Sequence, residues 1–347
     1  MSAPENKDTE FLLGHEAAEN AIAAQFSSGK MPHAILLTGP KGIGKASLGW
    51  RFARYIFSLS DTSALLKTLP MFEIEGYDDS FIPGPDSGIQ VKERASPLQI
   101  PRTNSIFSRL SSGGVQDFKL VEREWTDETK TRRKTEITID QIRNLKHFFE
   151  TTSSEEGWRV ALIDSADEMN KNAANALLKI LEEPPEKSLL ILISHNQNAL
   201  LPTIRSRCRA IRLRPLAEPD MQKLLAIYLP NADEAQRKRL GELSNGSPGT
   251  AISLWLGDAL KIEERFREAL AGRESIGTVA NIAAANFDSF KVVALRHVED
   301  KIRARKTGSD KLFELRGWLV EQLNNVSAIN LDPALTAFAI MERIGKC

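Results

Sequence analysis

The sequence predicts an α/β fold built on a parallel sheet and followed by all-helical segments, and three observations carry that prediction. Short, nearly continuous apolar runs recur at 33–38 (HAILLT), 118–121 (FKLV), 159–163 (RVALI), 189–193 (LLILI) and 210–214 (AIRLR). Helical patterns lie between most of them, as in Ala174, Leu177, Leu178 and Leu181 at i, i+3, i+4 and i+7, stopped by Pro184-Pro185. Strands apolar on both faces and alternating with helices belong to a parallel sheet covered on both sides. After Pro215 the strand signals vanish: 219–271 reads as several short helices, and 288–304, 312–325 and 333–344 as longer ones, the last opened by Asp332-Pro333 as an N-cap and first-turn pair.

Each stretch then takes its place in order. The run 33–38, between Pro32 and Gly39, is a buried strand, and on 210–214 Ala210, Ile211 and Leu213 are expected to pack inward while Arg212 and Arg214 meet solvent. From about 60 to 116 the pattern dissolves into clusters such as FIPGPDSG and RLSSGGV, read as a surface insertion with some short structure of its own. The expected division is an α/β domain over 1–215 and helical pieces over 216–264 and 265–347, in keeping with ~150 residues per domain.

Composition removes several function classes. Lys+Arg 46 against Asp+Glu 46 gives zero formal charge, so any basic site must be local rather than a property of the whole chain. The N-terminal MSAPENKDTE lacks the basic end and apolar stretch of a signal peptide, and no run of 18 apolar residues occurs, so a cytoplasmic protein without a membrane span is expected. With only Cys208 and Cys347, and five scattered histidines, no metal site is expected.

Chemistry enters directly after the first strand. Gly39-Pro40-Lys41-Gly42-Ile43-Gly44-Lys45-Ala46 matches G-x-x-x-x-G-K, a loop whose glycines let backbone N–H groups wrap phosphates and whose lysine neutralises them. A plain glycine turn joining strand to helix is the other reading. The next position needs Ser or Thr to hold Mg²⁺, and Ala46 has no hydroxyl; Ser47, one residue later on a helix, is turned ~100° away. The strand 159–163 ends in Asp164, which suits a metal, followed by Ser165. Asp167 and Glu168 read as ordinary acids in the first turn of a helix.

The stretch from Arg159 to Cys208, with IDSADEMNKNAANALLKILEEPPE, LLILISHN and LLPTIRSRC, resembles the clamp-loader branch of the AAA+ proteins. Within that branch HAILLTGPKGIGK, TEITIDQIRNL at 135–145 and GSPGTA at 246–251 are similar to the delta-prime type of bacterial DNA polymerase III subunit rather than the gamma/tau type. The resemblance covers Gly14 to about Leu256, and beyond it only length and helical character match. It implies a P-loop AAA+ core, a small helical lid at 216–264 and a helical collar at 265–347 that joins other clamp-loader subunits of gamma/tau and delta type, acting on a sliding clamp and primed DNA.

Three departures fall where hydrolysis needs specific groups: Ala46, Ser165 in place of the water-polarising Glu, and Gly249 where an active relative places an arginine (GSxR). The resemblance therefore implies a non-catalytic subunit with a degenerate site at Gly39, Gly44, Lys45 and Asp164, requiring no cofactor and binding ATP weakly or not at all; an ATP-hydrolysing motor subunit is the alternative. Many relatives carry four cysteines between the P-loop helix and the next strand; 60–116 has none, so no zinc is expected.

Between Lys187 and Ala217 there is no acidic residue, yet Arg205, Arg207, Arg209, Arg212 and Arg214 occur. By resemblance, Arg207 of SRC reaches across an interface to the ATP γ-phosphate of a neighbouring subunit; a structural partner of the strand end at Asp164 is the other reading. Lys130, Arg132, Arg133 and Lys134 form a basic cluster beside Glu124, Asp127 and Glu128, either a charged loop tip or a contact to DNA phosphates. Leu312, Leu315, Leu319 and Leu323 form a helical stripe, joined by Phe313 and Trp318, that either closes a helical domain on itself or also serves oligomerisation.

Overall fold

The computed structural model describes residues 6–9, 11–68, 96–127, 129, 133–151, 157–304, 310–328 and 330–346. It divides into two units: an α/β unit, running up to Gly39 and then over Gly44–Leu213, and a helical unit made of Pro40–Ile43 and the chain from Arg214 onward.

The α/β unit contains, in order, α1 (Glu16–Ser27), β1 (Ala34–Thr38), α2 (Lys45–Thr68), α3 (Ser105–Ser111), β2 (Phe118–Val121), α4 (Ile139–Glu150), β3 (Arg159–Ile163), α5 (Lys171–Glu182), β4 (Ser188–Ser194), α6 (Pro202–Arg207) and β5 (Arg209–Arg212). All neighbouring strands are parallel, in the order β2-β3-β4-β1-β5. The three central strands β1, β3 and β4 are buried at every position, which is why they read as unbroken apolar runs.

One sheet face, with Leu36, Ile163 and Leu192, packs on Ile142 and Leu145 of α4, Leu177 and Ile180 of α5 and Ile204 of α6. On the other, Leu162 and Ile191 lie so close to Gly49 of α2 that an added Cβ would sit 2.8 Å from Leu162 Cδ1. Each of these aliphatic side chains contributes about 1.5–3 kcal/mol by leaving water. Helix starts are specified locally: Thr138 and Gln141 form a capping box on α4, and the Asn170 side chain accepts from Ala173 N–H at 2.9 Å to open α5.

The last strand departs from expectation. Because β5 is the edge strand, Ala210 is exposed and Ile211 only half-buried, and the inward residue is Leu213, just past the strand, whose N–H donates to Thr38 O at 2.8 Å. Within 60–116, α2 continues to Thr68, FIPGPDSG lies outside the described residues, and 96–116 carries buried Leu98 and helix α3 with Ile106, Phe107 and Leu110 buried. The Arg54 guanidinium lies over the Phe107 ring at 4.0 Å and so ties this segment to α2.

The helical unit comprises α7 (Glu218–Tyr228), α8 (Glu234–Leu243), α9 (Pro248–Leu256), α10 (Ala259–Leu270), α11 (Ile276–Ala285), α12 (Phe287–Ala304), α13 (Asp310–Ala328) and α14 (Pro333–Gly345). Helix α10 runs through the expected boundary at 264–265 without a break. The stripe Leu312, Leu315, Leu319 and Leu323 on α13 is buried within this unit, and Trp318 is covered by the Arg343 guanidinium at 4.3 Å. Exposed on α13 and α14 are Phe313 (58%), Leu335 (72%) and Phe338 (42%). The Asp332 carboxylate accepts from Leu335 N–H at 2.8 Å, giving α14 the N-cap its sequence announces. Among the described residues, no helix is long and apolar enough to cross a membrane.

Candidate functional site

The glycine loop leaves β1 with three left-handed residues, Gly39 (φ 141°), Gly42 (φ 77°) and Gly44 (φ 102°), conformations open to glycine and costly for other residues. Lys45 opens α2, is buried, and its Nζ donates to Gly39 O at 2.7 Å, closing the loop on itself. Leu12 lies against Gly44, where an added Cβ would meet its Cδ1 at 2.7 Å. Ala46 and Ser47 are both buried in the first turn of α2.

The middle of the loop belongs to the helical unit. There Gly249 N–H donates to Gly42 O at 2.9 Å, and Ser247 Oγ donates to Lys41 O at 2.8 Å. Ser247 also caps α9, its Oγ accepting from Thr250 N–H at 3.3 Å.

At the carboxyl end of β3, half-buried Asp164 donates its N–H to Val121 O at 2.8 Å, and β4 lies between this strand and β1. Ser165 is left-handed (φ 66°) and sets its Oγ 3.2 Å from His195 Nε2, at the end of β4. Asp167 and Glu168 form a short 3-10 turn with Ala166 rather than the start of a longer helix. The Asp167 carboxylate accepts from the backbone N–H groups of His195 (3.0 Å) and Asn196 (3.1 Å), joining the ends of β3 and β4, while Glu168 pairs with Arg123 at 2.7 Å. Sequence reasoning missed both roles: the partners of Asp167 are main-chain groups that no side-chain pattern reveals, and Arg123 lies 45 residues before Glu168. Among the described residues, no cluster of three or more His, Cys, Asp or Glu is placed to hold a metal.

Arg207 ends α6 and keeps 37% of its side chain exposed. Its Nη1 donates to Thr203 O at 3.1 Å and its Nη2 to Glu182 Oε1 at 2.9 Å, so its partner is the end of α5 rather than the strand end at Asp164. The next residue, Cys208, has its thiol pushed up to about 12 by burial, which keeps it protonated and unreactive. Of the basic cluster, Lys130 and Arg132 lie outside the described residues. Arg133 pairs with Glu122 at 2.9 Å and covers the Trp125 ring at 4.2 Å, and Lys134 pairs with Glu124 at 2.7 Å.

A family model described as DNA polymerase III, delta subunit, matches residues 99–217. The DNA polymerase III subunit delta' of Pseudomonas aeruginosa is 34% identical over 224 residues, 64% of this chain and 55% of that one. The segment matched in this way is similar to the delta' subunits of DNA polymerase III. The subunit gamma of Buchnera aphidicola is 28% identical over 70% of this chain and 56% of its own. A solved gamma subunit-related protein from Thermotoga maritima aligns over 95% of this chain and 98% of that one, at 17% identity and a TM-score of 0.45. The chain spans about half the length of the curated relatives it matches. The segment matched by the family model takes in Asp164, Ser165, Glu182, His195 and Arg207, and starts downstream of the glycine loop.

Proposed function

We propose that this chain is a clamp-loader subunit of DNA polymerase III that hydrolyses no ATP itself and completes the ATP site of a neighbouring subunit with Arg207. The observation that carries the reading is the pairing of a disabled site with an accessible guanidinium. At the glycine loop and β3 end, Ala46 supplies no metal-binding hydroxyl and Ser165, engaged with His195, supplies no base. The nearby acids are committed elsewhere, Asp167 to two backbone N–H groups and Glu168 to Arg123. Arg207 meanwhile stands part-exposed at a helix end, always charged and shaped to fork onto phosphate oxygens.

In this role the chain acts in the cytoplasm as a stator, assembled with gamma/tau- and delta-type subunits, in the complex that places a sliding clamp on primed DNA. It contributes to the polymerase holoenzyme without being its ATPase, and it needs neither nucleotide nor zinc. The ion pairs of Arg133 and Lys134 favour a charged loop tip over a contact to DNA phosphates. The alternative, a motor subunit using Lys45 and Asp164, is separated by assaying the isolated chain. The expected result is no ATP hydrolysis above background; sustained turnover abolished by Lys45→Ala establishes the motor reading instead.

A further inference from the structure

The two sequence blocks that carry the family resemblance, ANALLKILEEPP and SRC, meet in the fold at one side-chain pair. Glu182 is the last residue of α5 and Arg207 the last of α6, and Arg207 Nη2 donates to Glu182 Oε1 at 2.9 Å. A carboxylate at a helix C-terminus faces the negative end of the macrodipole and is disfavoured there unless a cation lies against it. Lys179 stands in the same last turn, but the cation bonded directly to the Glu182 carboxylate is Arg207.

The guanidinium is held from two sides, by the Glu182 carboxylate and by the Thr203 carbonyl of its own helix. Arginine carries five N–H donors in one rigid plane, so these two bonds fix the plane and leave other donors for an anion arriving from outside. The side chains of Arg207 and Glu182 are 37% and 50% exposed, which leaves the pair accessible to a partner. A free arginine side chain loses much rotamer entropy when ordered; one already oriented loses less when it engages phosphate.

We propose that Glu182 is the positioning residue for Arg207, holding its guanidinium in the orientation that meets the neighbouring subunit's γ-phosphate. This rests on the reading of Arg207 as a finger acting in trans. It assigns the acidic end of the LEEPP block a function that neither its helical propensity nor core packing accounts for.

The test uses the clamp-loader complex reconstituted from this chain with its gamma/tau- and delta-type partners, assayed for DNA-stimulated ATP hydrolysis. With Glu182→Ala, kcat is expected to fall about two- to five-fold, the range of an exposed ion pair, while KM for ATP is unchanged. Glu182→Gln, which keeps an acceptor without the charge, should recover part of the loss. Adding Glu182→Ala to Arg207→Ala should cost nothing further, because the two act as one unit. Wild-type kcat in Glu182→Ala, or an equal loss in the Arg207→Ala background, overturns the positioning role while the finger stands. No effect of Arg207→Ala itself overturns both. Incorporation of each variant into the complex, checked by size exclusion, separates these outcomes from misfolding.

Discussion

The backbone N–H of Gly249 donates to the carbonyl of Gly42 at 2.9 Å, so the residue standing where the resemblance places an arginine is instead bonded to the glycine loop. An added Cβ at Gly249 would lie 3.0 Å from both Gly42 Cα and Gly42 O. One at Gly42 would lie 2.6 Å from Ser247 Oγ and 2.9 Å from Thr250 N. The two glycines therefore permit a close backbone-to-backbone contact: a side chain at Gly42 is excluded, and one at Gly249 fits only if the loop gives by a few tenths of an ångström. A glycine at position 249 suits this packing.

From that contact, Gly249→Ala is expected to destabilise the helical unit by about 1–3 kcal/mol through overpacking, read as a lower denaturant midpoint at unchanged m-value. Gly249→Arg should destabilise further and still confer no ATP binding, measured by titration calorimetry. A Gly249→Arg chain that is as stable as wild type and binds ATP contradicts this account of the loop.

His297 on α12 packs edge-on against Phe266, with ring centroids 5.2 Å apart, and its Nε2 is buried without a hydrogen-bond partner. Burial, followed by the positive charges of Lys301 and Arg267, holds its pKa below the ordinary value of 6.5 against the opposing pull of Asp300 and Glu263. The folded pKa is thus the lower one, so the unfolded chain takes up more protons as the pH drops below that ordinary value. The stability contributed by neutral His297 is present above about pH 6.5 and lost as the pH falls through the folded pKa. Denaturation midpoints of the helical unit should decline from pH 7 to pH 5.5, and His297→Gln should flatten the slope.

Glu263 adds a second loss at lower pH. Burial alone would raise its carboxyl, but hydrogen bonds and charge from Arg239 and Arg267 outweigh this and hold it below the ordinary carboxylate value. Its contribution is present above that ordinary value and disappears as the pH falls through the lowered one.

On the C-terminal helices, two leucines separate folding from assembly. Leu319 is fully buried and Leu335 is 72% exposed. Leu319→Ala should cost about 2–5 kcal/mol as a core cavity, whereas Leu335→Ala should stay within about 0.5 kcal/mol. If Leu335, Phe338 and Phe313 form a face for neighbouring subunits, Leu335→Asp should preserve the thermal melt yet weaken co-elution with them. Undiminished co-elution with both Leu335→Asp and Phe313→Asp removes that face from the assembly.

Much of this architecture was legible from local signals. The strands β1, β3 and β4 are buried on both faces, so their sequences carry unbroken apolar runs that allow one reading. The edge strand β5 misled because AIRLR mixes apolar residues with arginines, and only strand order decides which of them are covered. Helix α11, IGTVANIAAA, gave no helical signal: its buried face is Val279, Ala280 and Ala283, too small to stand out by periodicity.

The site was legible only in part. Lys45 announces itself by the glycine loop that precedes it and Asp164 by its place at the end of β3, but the Ser165–His195 and Asp167–His195 contacts join segments about 30 residues apart, and only the fold brings them together. Glu182 lay in a block read solely as a family mark. Its clue was a carboxylate at a helix end where the dipole disfavours one, balanced by an arginine 25 residues later.

The central claim is that this chain serves ATP hydrolysis only through its neighbour, and the DNA-stimulated ATPase of the reconstituted complex carrying Arg207→Ala tests it most directly. An arginine finger can contribute about 10³–10⁵ in rate at the site it serves. The account predicts near-complete loss at that one site, seen as a partial fall in total turnover, with the variant fully incorporated and the isolated chain inactive before and after substitution. Wild-type turnover in a fully assembled Arg207→Ala complex would contradict it.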